Sequence, residues 1–326
     1  RTPAVAIDGC APVVAWSEAT TASGATQVHV RRWTGSAWTS LGGPLGATAT
    51  QPDLRVGDDG ELFVVWTEST ELRVRRWTGA SWAAVGGAVG AGGGTLSQPA
   101  LAALNASDVV ASVARFSSCG SLCFDFDQLV YRWDGSSWSQ LGGPLASSIY
   151  GALDRLSSGD PVFAYPSTNT VALRRWTGSA WTSFAGGSTP TSTSPFGPDL
   201  VVDASGAPIV SWTSESALHV VRRDGGGWTT LAAGVTGGGG SVGFNLELAT
   251  DSEDRAIVVW PETVDGMSRI YVRRQSGSGL VSLGSNPLNT AAAQAPRVAV
   301  DGLDRPVVVR AEGDPDAIRV VRYAEP

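Results

Sequence analysis

The sequence predicts an all-β protein, a seven-bladed β-propeller whose blades are four-stranded antiparallel sheets, with three strands in the last blade. Three observations support this fold class. A hairpin motif recurs along the chain, a second pattern with two short apolar runs precedes it, and together they repeat about every 48 residues. Four strands per repeat at that period are typical of propeller blades, whereas an open β-solenoid is the alternative.

The hairpin motif is best seen from Val28 to Gly43. Its first half alternates with period two and reads as a strand, Thr34 to Ala37 reads as a tight turn, and Trp38 opens the return strand. Trp33 and Trp38 flank the turn and are predicted to form a cross-strand pair. Complete or degraded copies cover residues 72–87, 129–143, 171–187, 218–231, 270–284 and 318–323.

The second pattern reads Pro-x-Leu/Val-x-Val-Asp-x-x-Gly-x-Pro-Val-Val-x-Trp-x-Glu and is clearest from Pro3 to Glu18. It predicts two strands joined by an Asp/Gly turn. The repeats predict a single domain with blades at about residues 1–50, 51–97, 98–149, 150–197, 198–244, 245–295 and 296–326. The last repeat stops after its third strand, so we expect a three-stranded blade or a fourth strand encoded upstream of this chain.

Propeller topology places the first strand of each blade innermost, around a channel. Turns between first and second strands, and between third and fourth, share one end and are short and uniform. The connections at the opposite end vary in length, and we call that end the variable face. Its variable loops are Ala19–Gln27, Gly87–Gln98, Arg115–Gln128 and Gly186–Gly197. Variable loops on a rigid scaffold carry function in many folds, so a carbohydrate or protein ligand is expected there.

The net charge of −7 argues against nucleic acid as a partner. No apolar run is long enough for a membrane span. Cys119 and Cys123 lie in one loop and predict a local disulfide, which requires an oxidising compartment, while Cys10 is expected to be a thiol. We therefore expect an extracellular or cell-surface protein, secreted with a leader that is not in the chain.

Every repeat places an arginine at the same position of its third strand, at the uniform-turn end: Arg32, Arg76, Arg132, Arg175, Arg223, Arg274 and Arg322. The first-turn aspartates reach the same end of their blades: Asp8, Asp58, Asp203, Asp251 and Asp301. A ring of arginines could bind anions. An Arg–Asp pair inside each blade is favoured, because a role shared by all blades suits folding better than a single site.

A Trp-x-Glu step ends the second strand on the variable face. Its members are predicted ligand-binding residues: Trp16, Glu18, Trp66, Glu68, Trp212, Glu215, Trp260 and Glu262. The last blade has Arg310 with Glu312 instead. Sugars stack on aromatic rings while carboxylates and guanidinium groups hold their hydroxyls, and repeated weak sites gain from multivalency. Packing of these tryptophans between blades, as core, is the alternative.

The innermost strands begin on the variable face with a set that we call the mouth residues: Asp53, Asp199, Glu247 and Arg297. Arg55 and Asp154 follow two positions later in their own blades. A ring of carboxylates could hold Ca²⁺. Solvation, or pairing with the two arginines, is favoured over a cation site, so no cofactor is expected.

The stretch Arg132-Trp-Asp-Gly-Ser-Ser-Trp-Ser-Gln-Leu-Gly142 resembles the Trp-Asp-Gly-Ser-x-Trp hairpins of propeller lectins, including fucose-binding and tectonin-like ones. In the fucose lectins, Arg, Glu and Trp from neighbouring blades hold the sugar, and the resemblance implies such a role here. The two histidines, His29 and His219, lie in different blades, and no catalytic motif is present.

The sequence therefore favours a non-catalytic extracellular binding module, lectin-like and carbohydrate-binding, over an enzyme. A protein-interaction scaffold or adhesion domain is the alternative. A polysaccharide-degrading lyase or hydrolase is the second alternative, because a carboxylate pair could cleave a glycosidic bond although the sequence does not select one.

Overall fold

The computed structural model describes residues 2–19, 25–90, 92–120, 123–184, 187–313 and 317–324, without the side chains of residues 119, 120 and 123. Strands, turns and bends account for all of the regular structure in these ranges, so the all-β prediction is confirmed. Within them, no helix is long and apolar enough to cross a membrane. The chain divides into two compact units, Arg1–Ile149 and Tyr150–Pro326.

The first unit holds three antiparallel sheets. The first sheet contains β1 (Pro3–Asp8), β2 (Ala11–Ala19), β3 (Thr26–Trp33) and β4 (Trp38–Ser40). The second contains β5 (Thr50–Val56), β6 (Leu62–Glu68), β7 (Glu71–Trp77), β8 (Trp82–Ala84) and β9 (Val89–Gly90). The third contains β10 (Thr95–Asn105), β11 (Asp108–Gly120), β12 (Cys123–Trp133) and β13 (Trp138–Gln140).

The second unit holds four antiparallel sheets. The fourth sheet of the chain contains β14 (Ala152–Arg155), β15 (Pro161–Ser167), β16 (Thr170–Trp176) and β17 (Trp181–Ser183). The fifth contains β18 (Phe196–Val202), β19 (Pro208–Ser214), β20 (Ala217–Asp224) and β21 (Gly227–Val235). The sixth contains β22 (Ser241–Val242), β23 (Glu247–Thr250), β24 (Ala256–Val264), β25 (Met267–Ser276) and β26 (Gly279–Ser282), and the seventh β27 (Ala293–Val300), β28 (Pro306–Glu312) and β29 (Ala317–Arg322).

The sheets are the seven predicted blades, and the last has three strands as expected. Consecutive strands are hydrogen-bonded neighbours in each blade, and the extra two-residue strands β9 and β22 enlarge the second and sixth sheets. Inside each unit, the first strands of neighbouring sheets contact one another. This arrangement brings the starts of β14, β18, β23 and β27 into one row along the second unit.

The core lies between neighbouring sheets. One apolar cluster joins the first and second sheets, and others join the second to the third and each neighbouring pair in the second unit. The second strand of each blade is covered on both faces, so β6, β19 and β28 are buried almost throughout. Their sequences are accordingly continuous apolar runs rather than alternating ones.

The hairpin motif holds neighbouring sheets together. Trp33 and Trp38 form the predicted cross-strand pair, with ring centroids 5.5 Å apart. In the third sheet the Nε1 of Trp138 donates to the carbonyl of Val85 in the second sheet at 2.8 Å. A Cβ on Gly86 would lie 2.5 Å from the Trp133 ring, so the Gly-Gly that ends the motif leaves space for the next tryptophan pair.

The predicted loop Arg115–Gln128 is largely a hairpin extension and not a loop. Strands β11 and β12 stay paired out to Ser118 with Phe124 and Gly120 with Cys123. Phe116 stacks on Phe124 at 5.0 Å and contacts Phe126 at 5.2 Å, and these contacts support the extension. The predicted Cys119–Cys123 disulfide lies outside the described side chains, as do residues 20–24 of the first variable loop.

Candidate functional site

Three of the four predicted ligand-binding tryptophans are core residues. Trp66, Trp212 and Trp260 are 1%, 2% and 0% exposed, so their ring faces are closed to a sugar. Their indole N–H groups are satisfied internally, by Glu68 at 3.2 Å, Ser192 at 2.9 Å and Glu262 at 3.2 Å respectively. Packing between blades, the alternative to sugar stacking, describes these positions.

The glutamates of the Trp-x-Glu step hold the backbone of the connection that enters their own blade. Glu262 accepts the amides of Gly237, Gly238 and Gly240 at 2.6, 2.9 and 2.7 Å. Glu68 accepts the amide of Ala47 at 3.0 Å. Glu312 accepts the amides of Thr290 and Ala291 at 3.2 and 3.4 Å. The repetition of Glu in the sequence reflects this anchoring of connections.

In the fifth sheet, the residue at the glutamate position is Ser214, one place before the predicted Glu215. The register of β19 and β20 pairs Trp212 with His219, as the first sheet pairs Trp16 with His29. Ser214 donates to the carbonyl of Thr193 in the incoming connection. Glu215 is exposed in the following turn with φ of 50°, so it does not anchor the connection.

Trp16 is the predicted ligand-binding tryptophan that is not fully buried. Its Nε1 donates to Glu18 at 2.9 Å, and His29 stacks on its ring at 5.5 Å. The guanidinium of Arg31 lies 5.6 Å from the ring centroid. The ring is therefore covered by neighbours of its own sheet, and the role of Trp16 and Glu18 in ligand binding stays a prediction.

The arginines at the uniform-turn end form ion pairs within their blades, as the Arg–Asp alternative proposed. The pairs in four sheets are Arg32 with Asp8, Arg76 with Glu61, Arg132 with Asp108 and Arg175 with Asp160. In the seventh sheet the carboxylate of Asp301 lies between Arg305 at 2.8 Å and Arg322 at 3.5 Å. These guanidinium groups neutralise internal carboxylates.

In the fifth sheet the arginine at this position is Arg222, so the prediction of Arg223 was wrong by one residue. Arg222 is paired with Ile209 across the ladder and binds Asp203 at 2.5 Å. Arg223 instead lies 5.8 Å above the Trp228 ring, at the position that tryptophan occupies in the hairpins of the first four sheets. A cleft of about 360 Å³ lies there, lined by Phe184, Pro208, Arg223 and Asp224 among others.

The mouth residues connect the first strands of neighbouring sheets. Asp53 accepts the amides of Leu54 at 2.9 Å and of Leu101, in the next sheet, at 3.0 Å. Asp199 accepts the amide of Leu248 in the next sheet at 2.5 Å. Glu247 forms an ion pair with Arg297 at 3.4 Å.

Asp154 makes the same kind of connection one sheet earlier, since it accepts the amide of Val202 at 2.6 Å. The mouth residues therefore form a row in which the side chains connect adjacent sheets. Among the described residues there is no group of three or more His, Cys, Asp and Glu side chains that could hold a metal ion.

Three aromatic rings meet in the second unit, and they are not among the predicted site residues. Tyr150 and Phe196 have ring centroids 4.2 Å apart, Phe196 and Phe244 5.4 Å, and Tyr150 and Phe244 5.7 Å. Phe196 and Phe244 are 40% and 47% exposed. Burial beside these rings raises the pKa of the Tyr150 hydroxyl, so it is protonated at neutral pH. We call these residues the aromatic trio.

The backbone explains why the trio forms. The ladder between β18 and β19 shifts register between Phe196 and Asp199, and Gly197 there has φ of 54°. Such a bulge redirects the side chain beside it. A Cβ on Gly197 would lie 2.5 Å from the carbonyl oxygen of Phe244, so only glycine allows this approach. Phe196 and Phe244 both stand three positions before a mouth residue, a spacing that could have revealed them.

No family model and no curated protein sequence matches this chain. Three solved structures with a similar fold are named as enzymes that act on carbohydrates. The Penicillium chrysogenum alpha-L-arabinanase complexed with arabinobiose has a TM-score of 0.52 at 15% identity, over 84% of this chain and 92% of that one. The Hadza microbial sialidase Hz136 has a TM-score of 0.54 at 13% identity, over 92% of this chain and 74% of that one. The polysaccharide lyase Uly1 has a TM-score of 0.60 at 11% identity, over 98% of this chain and 88% of that one.

At these identities the likeness shows the fold alone. The comparisons nevertheless correct the leading prediction of a non-catalytic binding module, because the solved structures that resemble this chain include an arabinanase, a sialidase and a polysaccharide lyase. The carbohydrate part of that prediction agrees with the names of these proteins.

Proposed function

We propose that this protein is a polysaccharide-degrading enzyme and that it hydrolyses glycosidic bonds at Asp199 and Glu247. The observation that carries the proposal is the position of these carboxylates. They lie on the neighbouring first strands β18 and β23, and the Asp199 carboxylate contacts the backbone directly after Glu247. Phe196 and Phe244 of the aromatic trio stand three residues before Asp199 and Glu247 in the chain. Glycosidases use two carboxyl groups about 5 to 10 Å apart, the range open to neighbouring strands.

The surroundings of the two carboxylates suit different roles. Glu247 lies beside Arg297, whose positive charge favours the ionised carboxylate, as a base requires. Asp199 accepts the neutral backbone amide of Leu248 at 2.5 Å. A glycan that covers Asp199 removes water from it and favours its protonated form, as an acid requires.

The reaction then follows from these roles. The protonated carboxyl of Asp199 gives its proton to the glycosidic oxygen while the bond from that oxygen to the anomeric carbon breaks. Glu247 takes a proton from the water whose oxygen bonds to the anomeric carbon. The products are two shortened glycans, one with a new reducing end, and proton transfer between the two carboxyl groups through solvent restores the enzyme.

The test is product formation from a panel of soluble neutral and acidic polysaccharides. Hydrolysis releases reducing ends without the double bond that a lyase leaves in its uronide product. We expect reducing ends from at least one glycan, with turnover reduced by at least about a hundredfold in Asp199→Asn and in Glu247→Gln. Asparagine and glutamine keep acceptor oxygens for the amide and guanidinium contacts, so these variants are expected to fold.

Asp53→Asn is the matched control because Asp53 occupies the equivalent position in the first unit and uses both oxygens on backbone amides. Its turnover should equal that of the unmodified protein. Absence of products across the panel would overturn the proposal. So would an unsaturated product, which is formed by elimination, or full activity in both the Asp199 and the Glu247 variants.

A further inference from the structure

The aromatic trio is an unusual surface in this molecule. Most large apolar side chains of the described residues are buried, yet Phe196 and Phe244 are both well exposed and contact each other. None of the apolar clusters between the sheets of this unit includes them. Exposure of grouped aromatic rings costs solvation free energy that a bound ligand would recover.

The backbone holds this surface in place. Gly197 lets the chain at Phe196 touch the carbonyl of Phe244, and Thr213 donates to the carbonyl of Gly243 at 2.7 Å. Gly243 in turn donates to the carbonyl of Pro261 at 2.8 Å. Both phenylalanines therefore stand on backbone that is anchored to the second strands of the fifth and sixth sheets. A prearranged surface loses little conformational entropy on binding.

The charges around the trio select the ligand. Asp199 and Glu247 follow the two phenylalanines in the chain, and Asp154 follows Tyr150. The chain as a whole has a net charge of −7. This net negative charge disfavours a polyanion such as a polyuronate, whereas an uncharged sugar would meet aromatic faces for its C–H groups and carboxylates and a phenol for its hydroxyls.

We propose that Tyr150, Phe196 and Phe244 form a platform that binds an uncharged glycan and presents it to the neighbouring carboxylates. This inference rests on the proposed function and adds the class of substrate. The platform stacks on the apolar faces of the sugar rings, and Tyr150 hydrogen-bonds a hydroxyl. It binds the sugar in ground state and transition state alike, so its removal should raise KM with little change in kcat.

The test measures binding and turnover separately on the full chain. Retardation in native gels that contain arabinan, galactan or xylan measures binding to neutral glycans, and gels with polygalacturonate or alginate measure binding to polyuronates. We expect retardation by at least one neutral glycan and by neither polyuronate. Phe196→Ala and Phe244→Ala should each weaken that binding by about three- to tenfold, the effect of losing one stacked ring.

Leu303→Ala is the matched control, because Leu303 is an exposed apolar residue of the same unit outside the trio. It should bind as the unmodified protein does. Neutral-glycan binding that both phenylalanine variants retain in full would overturn the platform, as would tighter binding of a polyuronate or no binding to any glycan. Binding through the trio without turnover would instead overturn the hydrolase and leave the platform. Turnover with an unchanged KM in both phenylalanine variants would overturn the platform and leave the hydrolase.

Discussion

The carboxylate of Glu262 accepts the backbone amide of Gly237 at 2.6 Å and so joins the second strand of the sixth sheet to the connection that leaves the fifth. Gly238 and Gly240 donate to the same carboxylate, as does the indole of Trp260. A fully buried carboxylate with four donors is a structural anchor, because the donors offset the cost of removing the charge from water. Glu262 is therefore not available to bind a ligand.

Replacing Glu262 with glutamine should destabilise the protein. Glutamine keeps one acceptor oxygen but sets an amide nitrogen against backbone donors, so at least one buried N–H loses its partner. We expect the free energy of unfolding to fall by about 3 kcal/mol, from the loss of hydrogen bonds to a charged group. Urea unfolding measures this change. Glu215→Gln is the control, because Glu215 is exposed, and it should change stability by less than about 0.5 kcal/mol.

The same glutamate predicts how stability depends on pH. Burial alone would raise the pKa of Glu262, but the amides of Gly237, Gly238 and Gly240 and the Trp260 indole outweigh it, and the net pKa is lowered. A carboxyl with a lower pKa in the folded state stabilises the fold above its unfolded pKa, and this contribution is lost as pH falls through the folded pKa.

Stability of the unmodified protein should therefore fall steadily as the pH is lowered from about 5 to about 3, and Glu262→Gln should show a shallower slope there. Urea midpoints at a series of pH values provide the measurement. Glu312 contributes in the same direction, since Arg310 and two backbone amides outweigh its burial and lower its pKa. Parallel slopes for the variant and the unmodified protein would contradict the anchoring role of Glu262.

Arg310 and Glu312 replace the Trp-x-Glu step in the seventh sheet, and their ion pair is buried. The guanidinium Nη2 lies 2.7 Å from the carboxylate. Arg310→Met should cost about 3 kcal/mol or more, because it leaves the Glu312 charge buried with two long amide contacts. Arg132→Met breaks a partly exposed pair with Asp108 and should cost about 1 kcal/mol at most.

The double variant Arg310→Met with Glu312→Leu separates two explanations for that loss. If an unpaired buried charge causes it, removing the charge as well should recover about half or more of the lost stability. If the methionine packs badly, the second change should add to the loss. Thermal and urea unfolding of the four proteins form the double-mutant cycle.

Much of the fold could be predicted because the repeat determines it locally. The period-two runs, the Asp/Gly turns and the Trp33–Trp38 pair are each consequences of a few neighbouring residues, and seven copies of them identify the blades. The error at Arg223 arose because the hairpin motif is degraded in the fifth blade. Val221 stands where the motifs of the first, second, fourth and sixth blades have their first arginine, and the ladder register shows that Arg222 is the equivalent residue.

The candidate site could be predicted only in part, because it depends on differences between blades. Asp199, Glu247 and Arg297 were found from their repeated position, and the structure brings them into one row. The trio was missed since Tyr150, Phe196 and Phe244 lie far apart in the sequence and outside both repeated patterns. The spacing of Phe196 and Phe244 before Asp199 and Glu247 marks two of the positions, but the contact between the rings requires the bulge at Gly197 and the packing of neighbouring sheets.

The bulge itself can be tested with Gly197→Ala. The new Cβ would lie 2.5 Å from the Phe244 carbonyl oxygen and 2.9 Å from the Phe244 Cβ, and φ of 54° adds backbone strain. We expect a loss of about 2 to 4 kcal/mol, the sum of left-handed strain and overpacking. The variant should also weaken neutral-glycan binding, because relief of the contact moves Phe196 away from Phe244.

Gly225→Ala is the matched control for that variant. Gly225 has nearly the same φ, 52°, but a Cβ there would meet nothing within 4 Å. The Gly225→Ala variant has the backbone strain alone, so its free energy of unfolding should fall by about 1 to 2 kcal/mol and its glycan binding should be unchanged. Urea unfolding and gel retardation of both variants provide the comparison. Equal losses of stability would show that Gly197 matters only for its φ, and the close approach that brings Phe196 to Phe244 would then not require glycine.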